Sequence, residues 1–141
     1  MANFTKSNMT ITPKWLLKNE LKIRFDLSIQ RGFVWDTERK SLFINSLIEG
    51  YPVPAFYALD NTEDDFLWML DGKQRLGTVL DYLKEEFALS KNTPNINDVD
   101  VAGLKFSELP EDSKMKLRIL VLIFGNLKTS QNWKEISFFT A

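Results

Sequence analysis

The chain contains no cysteine and no histidine. The first absence excludes disulfides and thiolate metal sites. The second excludes Ser-His and Cys-His triads, His-ligated zinc and the His-metal nuclease centres from these 141 residues. A strong charge of either sign is also missing. The formal net charge is −1, so no global basic field draws in nucleic acid, and any contact with DNA or RNA has to come from a local patch. No apolar run approaches the roughly 20 residues that span a bilayer. Met1 to Thr12 is polar and lacks the apolar core of a signal peptide. These features lead to the expectation of a soluble, cytoplasmic protein with no membrane contact. Its length and ordinary composition suit one domain, 1–141, large enough to bury a real core.

The most informative stretch is Phe66-Leu67-Trp68-Met69-Leu70 followed by Asp71-Gly72-Lys73-Gln74-Arg75. An apolar run breaks into acid, glycine, base, amide and base, and Leu76, Val79, Leu80 and Leu83 then follow helical spacing. The pattern predicts a buried strand, a tight turn and a helix over 73–83 whose first turn carries the polar groups. A helix start offers free backbone N–H groups and the positive end of a dipole, so with Lys73 and Arg75 it is a plausible phosphate site.

Elsewhere, Met9 to Thr12 suggests a short strand or turn. Thr12 caps a helix that has Pro13 at its first position and runs to about Glu20. Leu27 to Arg31 reads as extended. Asp36 caps a helix to Glu49, stopped by Gly50. Phe43/Leu47 and Ile44/Ile48 give that helix an apolar face. Tyr51-Pro52-Val53-Pro54 is a stiff linker. Phe56–Leu59, an acidic turn over Asp60–Asp65 and Phe66–Leu70 read as a hairpin. Ser90–Asp100 is a loop, Leu104–Phe106 a short strand, Pro110–Leu117 a helix and Ile119–Phe124 a buried strand. From Gly125 onward a weak helical pattern runs through Trp133, Ile136 and Phe139. Hairpins mixed with helices indicate an α+β fold.

Taken alone, the residues leave two readings of the motif open. Asp71 to Arg75 is either a helix start with a solvated basic turn or a site. In the site, Gly72 admits a phosphate, Lys73 and Arg75 neutralise it, and Asp71 holds Mg²⁺ or orients a water. Gln30-Arg31 is either a surface pair or a second arm of that site. Trp35 and the Tyr51–Pro54 segment read as packing before they read as a stacking wall. Asp60, Glu63, Asp64 and Asp65 read as an exposed turn, and Lys114, Lys116 and Arg118 as a solvated helix face.

Several ordered blocks, however, resemble one family. These are Gln30-Arg31-Gly32-Phe33-Val34-Trp35, the Asp36–Gly50 helix, Tyr51-Pro52-Val53-Pro54, Asp71-Gly72-Lys73-Gln74-Arg75 and Phe106-Ser107-Glu108-Leu109-Pro110. Over roughly Leu27 to Phe124 the chain resembles the N-terminal domain family of GmrSD-type, modification-dependent restriction enzymes, a family similar in fold to the ParB/sulfiredoxin group. The resemblance implies a small mixed sheet with packed helices. It implies a phage-defence or restriction setting and a site formed by Gln30, Arg31, Gly72, Lys73, Gln74 and Arg75 around a nucleoside triphosphate with Mg²⁺. Asp71 would be the catalytic carboxylate if the nucleotide is hydrolysed.

The resemblance implies that in the family a separate C-terminal His-metal nuclease domain often cuts the DNA. The resemblance therefore implies an excised or truncated member that works with a missing nuclease domain or partner subunit and touches DNA indirectly or weakly. Two alternatives are a non-catalytic nucleic-acid-binding module and a ParB-like nuclease domain. The chain departs from the family's D-G-Q-Q-R at Lys73, which adds a cation and removes an acceptor. The resemblance also implies that the family usually continues into an F-x-R-L-N-type segment and further helices, whereas this sequence stops at Phe138-Phe139-Thr140-Ala141.

Overall fold

A computed structural model describes residues 5–25, 34–61 and 64–129. In chain order these form strand β1 (Thr5–Ile11), helix α1 (Pro13–Lys18), a 3₁₀ turn (Glu20–Lys22), strand β2 (Ile23–Arg24) and helix α2 (Thr37–Glu49). Strand β3 (Phe56–Asn61), strand β4 (Leu67–Asp71) and helix α3 (Lys73–Leu83) follow. A 3₁₀ turn (Phe106–Glu108), helix α4 (Glu111–Arg118) and strand β5 (Leu122–Thr129) complete the set. The strands make one mixed sheet in the order β1-β5-β3-β4-β2. β3 and β4 are the expected antiparallel hairpin, while β5 lies parallel to β3 and antiparallel to β1. The α+β expectation holds.

Local signals set the helix ends. The Thr12 hydroxyl accepts from the Trp15 N–H at 3.2 Å, and Pro13 opens α1. Asp36 Oδ1 accepts from the Arg39 N–H at 2.9 Å, and Gly50 closes α2 in the left-handed conformation that glycine adopts without a Cβ clash. Sheet residues Ile11, Phe56, Ala58, Met69, Leu122 and Phe124 share one core with Leu16, Ile44, Ile48, Leu76, Val79, Leu80 and Leu117 from the four helices. The alternate sheet positions Tyr57 and Ile123 are 40 % and 51 % exposed, as the two-residue period of a strand requires. At the centre the Phe56 and Phe124 rings stack with centroids 5.1 Å apart.

Three expectations are corrected. Leu104–Phe106 is not a strand. The Leu104 carbonyl accepts from the Leu89 N–H and the Tyr82 hydroxyl, which commits it to the body of the domain, and Phe106–Glu108 closes as a 3₁₀ turn with Glu108 Oε1 accepting from the Lys105 N–H. The last strand starts at Leu122 rather than Ile119, because the Ile119 N–H still bonds to the Met115 carbonyl at the end of α4. Gly125 to Thr129 continues that strand instead of opening a helix, and the Tyr57 ring covers the bare Cα of Gly125. The acidic turn is partly structural: Asp64 accepts from the Phe66 N–H and the Trp68 indole, and Asp60 sits in β3. Leu27 to Arg31, Thr62, Glu63 and the pattern at Trp133, Ile136 and Phe139 lie outside the described residues.

One face of α2 also fastens the long Ser90–Asp100 loop. Glu38 Oε1 accepts from Asn92 Nδ2 at 2.9 Å, Ser41 Oγ accepts from the Ser90 N–H at 2.8 Å, and Asn45 Nδ2 donates to the Pro94 carbonyl at 2.9 Å. The spacing of these residues, i, i+3 and i+7, puts them in line on the helix. Ser41 is fully buried, so Ser41→Ala leaves the Ser90 N–H without its partner and costs about 1–3 kcal/mol of unfolding free energy. Urea denaturation measures this. A loss smaller than about 0.5 kcal/mol would show that water replaces the hydroxyl and that the loop is not held this way.

Candidate functional site

The Asp71–Arg75 motif sits where β4 turns into α3. Gly72 occupies this corner at φ +95°, a conformation strained for any residue with a Cβ. A Cβ here would stand 2.4 Å from the Phe56 ring. Packing therefore already accounts for the glycine, before any phosphate is considered. No side chain caps the first turn of α3.

The next three side chains diverge because a helix turns about 100° per residue. Arg75 points back into the fold. Its guanidinium donates to the Pro54 carbonyl at 2.6 Å and the Ala55 carbonyl at 3.4 Å, and it lies over the Phe56 ring at 4.4 Å. Burial lowers its pKa and the Asp71 carboxylate, 3.9 Å away, pushes it back up; the group stays charged at any physiological pH. Asp71 itself is 68 % exposed. The Gln74 side-chain oxygen accepts from the Trp35 N–H at 3.0 Å, which binds the entry of α2 to α3, and the Trp35 ring meets Phe43 edge-on at 5.6 Å.

Lys73 and Gln74 line a cleft of about 280 Å³ that runs along α3 past Gly77 and Thr78 to Asp81. Lys40 of α2 and Glu20 complete its charged rim, and Phe25 and Val34 add apolar surface. Three of the rim charges are paired: Lys40 Nζ lies 3.7 Å from Asp81, and Lys84 Nζ lies 2.6 Å from Glu20. The hydrogen bond to Glu20 raises the Lys84 pKa. Lys73 has no acidic partner among the described residues.

The structure thus splits the motif. Lys73 and Gln74 share one cleft, whereas Asp71, Gly72 and Arg75 do not line it. Gln30 and Arg31 lie outside the described residues, but Phe25 and Val34, the described residues that flank their segment, both line the cleft. Sequence reasoning missed Lys40, Gly77 and Asp81. For Gly77 and Asp81 the signal was helical phase, since they follow Lys73 at i+4 and i+8 on its face of α3, whereas Lys40 comes from α2. Among the described residues no group of three or more metal-ligating side chains gathers, and no helix is long and apolar enough to cross a membrane.

Comparison with known proteins fits this arrangement of sequence blocks. The family model for the N-terminal domain of GmrSD restriction endonucleases matches residues 15–138, and the chain belongs to that family. No curated protein and no solved structure matches the chain.

The corner makes a definite demand on position 72. Gly72→Ala meets both the left-handed φ and the Phe56 ring, and is expected to destabilise the fold by about 2–5 kcal/mol. Thermal or urea unfolding of the variant measures it. A variant as stable as the parent would mean that the β4–α3 corner is not built this way.

Proposed function

We propose that this chain is the nucleotide-binding domain of a DNA restriction or phage-defence protein. The observation that carries the reading is Lys73: a cation without an acidic partner among the described residues, on the first turn of a helix that no side chain caps, at the end of a cleft of ligand size. Phosphate oxygens are met there by the ammonium group and by the positive end of the helix dipole. Gln74 sits beside Lys73, and Gln30 and Arg31, which lie outside the described residues, are assigned to the same site. Gly72 and Arg75 hold the corner in shape, so that Arg75 acts by positioning α3.

Asp71 is a single hard oxygen donor, mostly exposed and only loosely paired. That suits Mg²⁺, which takes one or two protein carboxylates and fills its remaining positions with phosphate oxygens and water. Asp71 lies outside the cleft, so it would orient an attacking water only if the phosphates extend from Lys73 toward the β4–α3 corner. Cutting of DNA falls to a nuclease domain or partner subunit elsewhere, since a net charge of −1 leaves this chain only weak affinity for DNA. A restriction role places the protein in the cytoplasm with the DNA. A ParB/sulfiredoxin-like ancestry accords with this small mixed sheet.

Nucleoside triphosphate with Mg²⁺ is expected to raise the melting temperature of the chain, and Lys73→Ala to abolish that shift without lowering the melting temperature of the free protein. Loss of one charged contact to phosphate corresponds to about 1.5–3 kcal/mol, roughly a tenfold to hundredfold loss of affinity. Titration with duplex DNA in parallel distinguishes the alternatives. Tight DNA binding without a nucleotide response supports a nucleic-acid module. Metal-dependent cleavage that disappears in Asp71→Ala supports a nuclease domain.

A further inference from the structure

Gly77 lies in the middle of α3, where glycine weakens a helix relative to alanine. The other tightly placed glycines answer to something inside the protein. Gly72 has a left-handed backbone and abuts Phe56, and Gly125 lies under Tyr57. Gly77 answers to neither demand. Its φ is not in the left-handed region, and among the described residues a Cβ built on it would meet nothing within 4 Å. That open space is the cleft itself, which Gly77 lines between Lys73 and Asp81. A bare helix backbone facing a ligand-sized cleft allows a flat group to approach closer than any side chain would permit.

We infer that Gly77 is the platform for the planar ring of the bound ligand, and that the ring is the base of a nucleotide whose phosphates lie at Lys73. The inference rests on the nucleotide-binding reading above and assigns the remaining half of the ligand. Lys73 and Gly77 are four residues apart on α3, a rise of about 6 Å. One sugar separates a base from its first phosphate by a similar distance. Phe25 and the 79 % exposed Val34 provide apolar surface in the same cleft, as a ring face requires. A methyl group at position 77 would stand where the ring lies and lift it off the helix, while leaving the phosphate end untouched.

Gly77→Ala separates these parts because its effects on folding and on binding have opposite signs. The variant is expected to melt about 2–5 °C higher than the parent, from helix propensity alone. Isothermal titration with ATP, GTP, CTP and UTP, each with Mg²⁺, is expected to show at least a tenfold loss of affinity for those that bind the parent. Inorganic tripolyphosphate with Mg²⁺ should bind parent and variant within twofold of each other. Unchanged nucleotide affinity overturns the inference and leaves the phosphate site standing. Equal loss for nucleotide and tripolyphosphate also overturns it, because Gly77 would then serve the phosphates. A lower melting temperature refutes the premise that nothing inside the protein needs this glycine. If the parent binds neither nucleotide nor tripolyphosphate, the nucleotide-binding reading fails, and this assignment with it.

Discussion

The guanidinium of Arg75 closes the corner on which the candidate site is built. Pro52 and Pro54 stiffen the linker into β3, and the carbonyls of Pro54 and Ala55 end up facing α3, where Arg75 donates to both. The same cation covers the Phe56 ring, which also stacks on the Phe124 ring and leaves no room for a Cβ at Gly72. Helix, linker and central strand therefore meet in one knot of charge-assisted hydrogen bonds and stacked rings. Any change at Arg75 acts on the position of α3 before it acts on a ligand, and loss of activity in an Arg75 variant would not by itself make Arg75 a phosphate ligand.

With Arg75 committed to the fold, the five-residue motif divides by helical phase. The fourth and fifth positions have partners far away in the chain, Gln74 at Trp35 and Arg75 at Pro54. The third position, Lys73, faces the cleft and has no such partner among the described residues. A lysine there disturbs no internal contact, and it changes only what the cleft presents to a ligand.

Much of the fold was legible because its signals are local. Asp36 and Gly50 bracket α2, and Gly72 marks the start of α3, each through a contact or a backbone angle within four residues. The errors fall where distant partners decide. Ile119 to Val121 is as apolar as a buried strand, but β5 begins only where β1 and β3 are available to pair with it. Leu104 is drawn away from any strand by Leu89 and Tyr82. The motif itself was visible in the sequence, but the roles inside it were not. Nothing near Arg75 in the chain shows that Pro54, 21 residues earlier, will take its charge.

The charges around the cleft are a weak means of holding the domain together. Lys40–Asp81 and Lys84–Glu20 are surface pairs with side chains in contact with solvent, and pairs of that kind contribute little to stability and are screened by salt. Cohesion comes instead from the buried apolar layer between helices and sheet, which these pairs do not join. The rim can therefore exchange partners at small cost to the fold. An arriving anion competes for Lys40 against a solvated carboxylate and the Phe87 ring, and for Lys73 against water, whereas to capture Arg75 it would have to break the knot at Phe56. The same physical difference that fixes the corner leaves the cleft side of α3 free to bind.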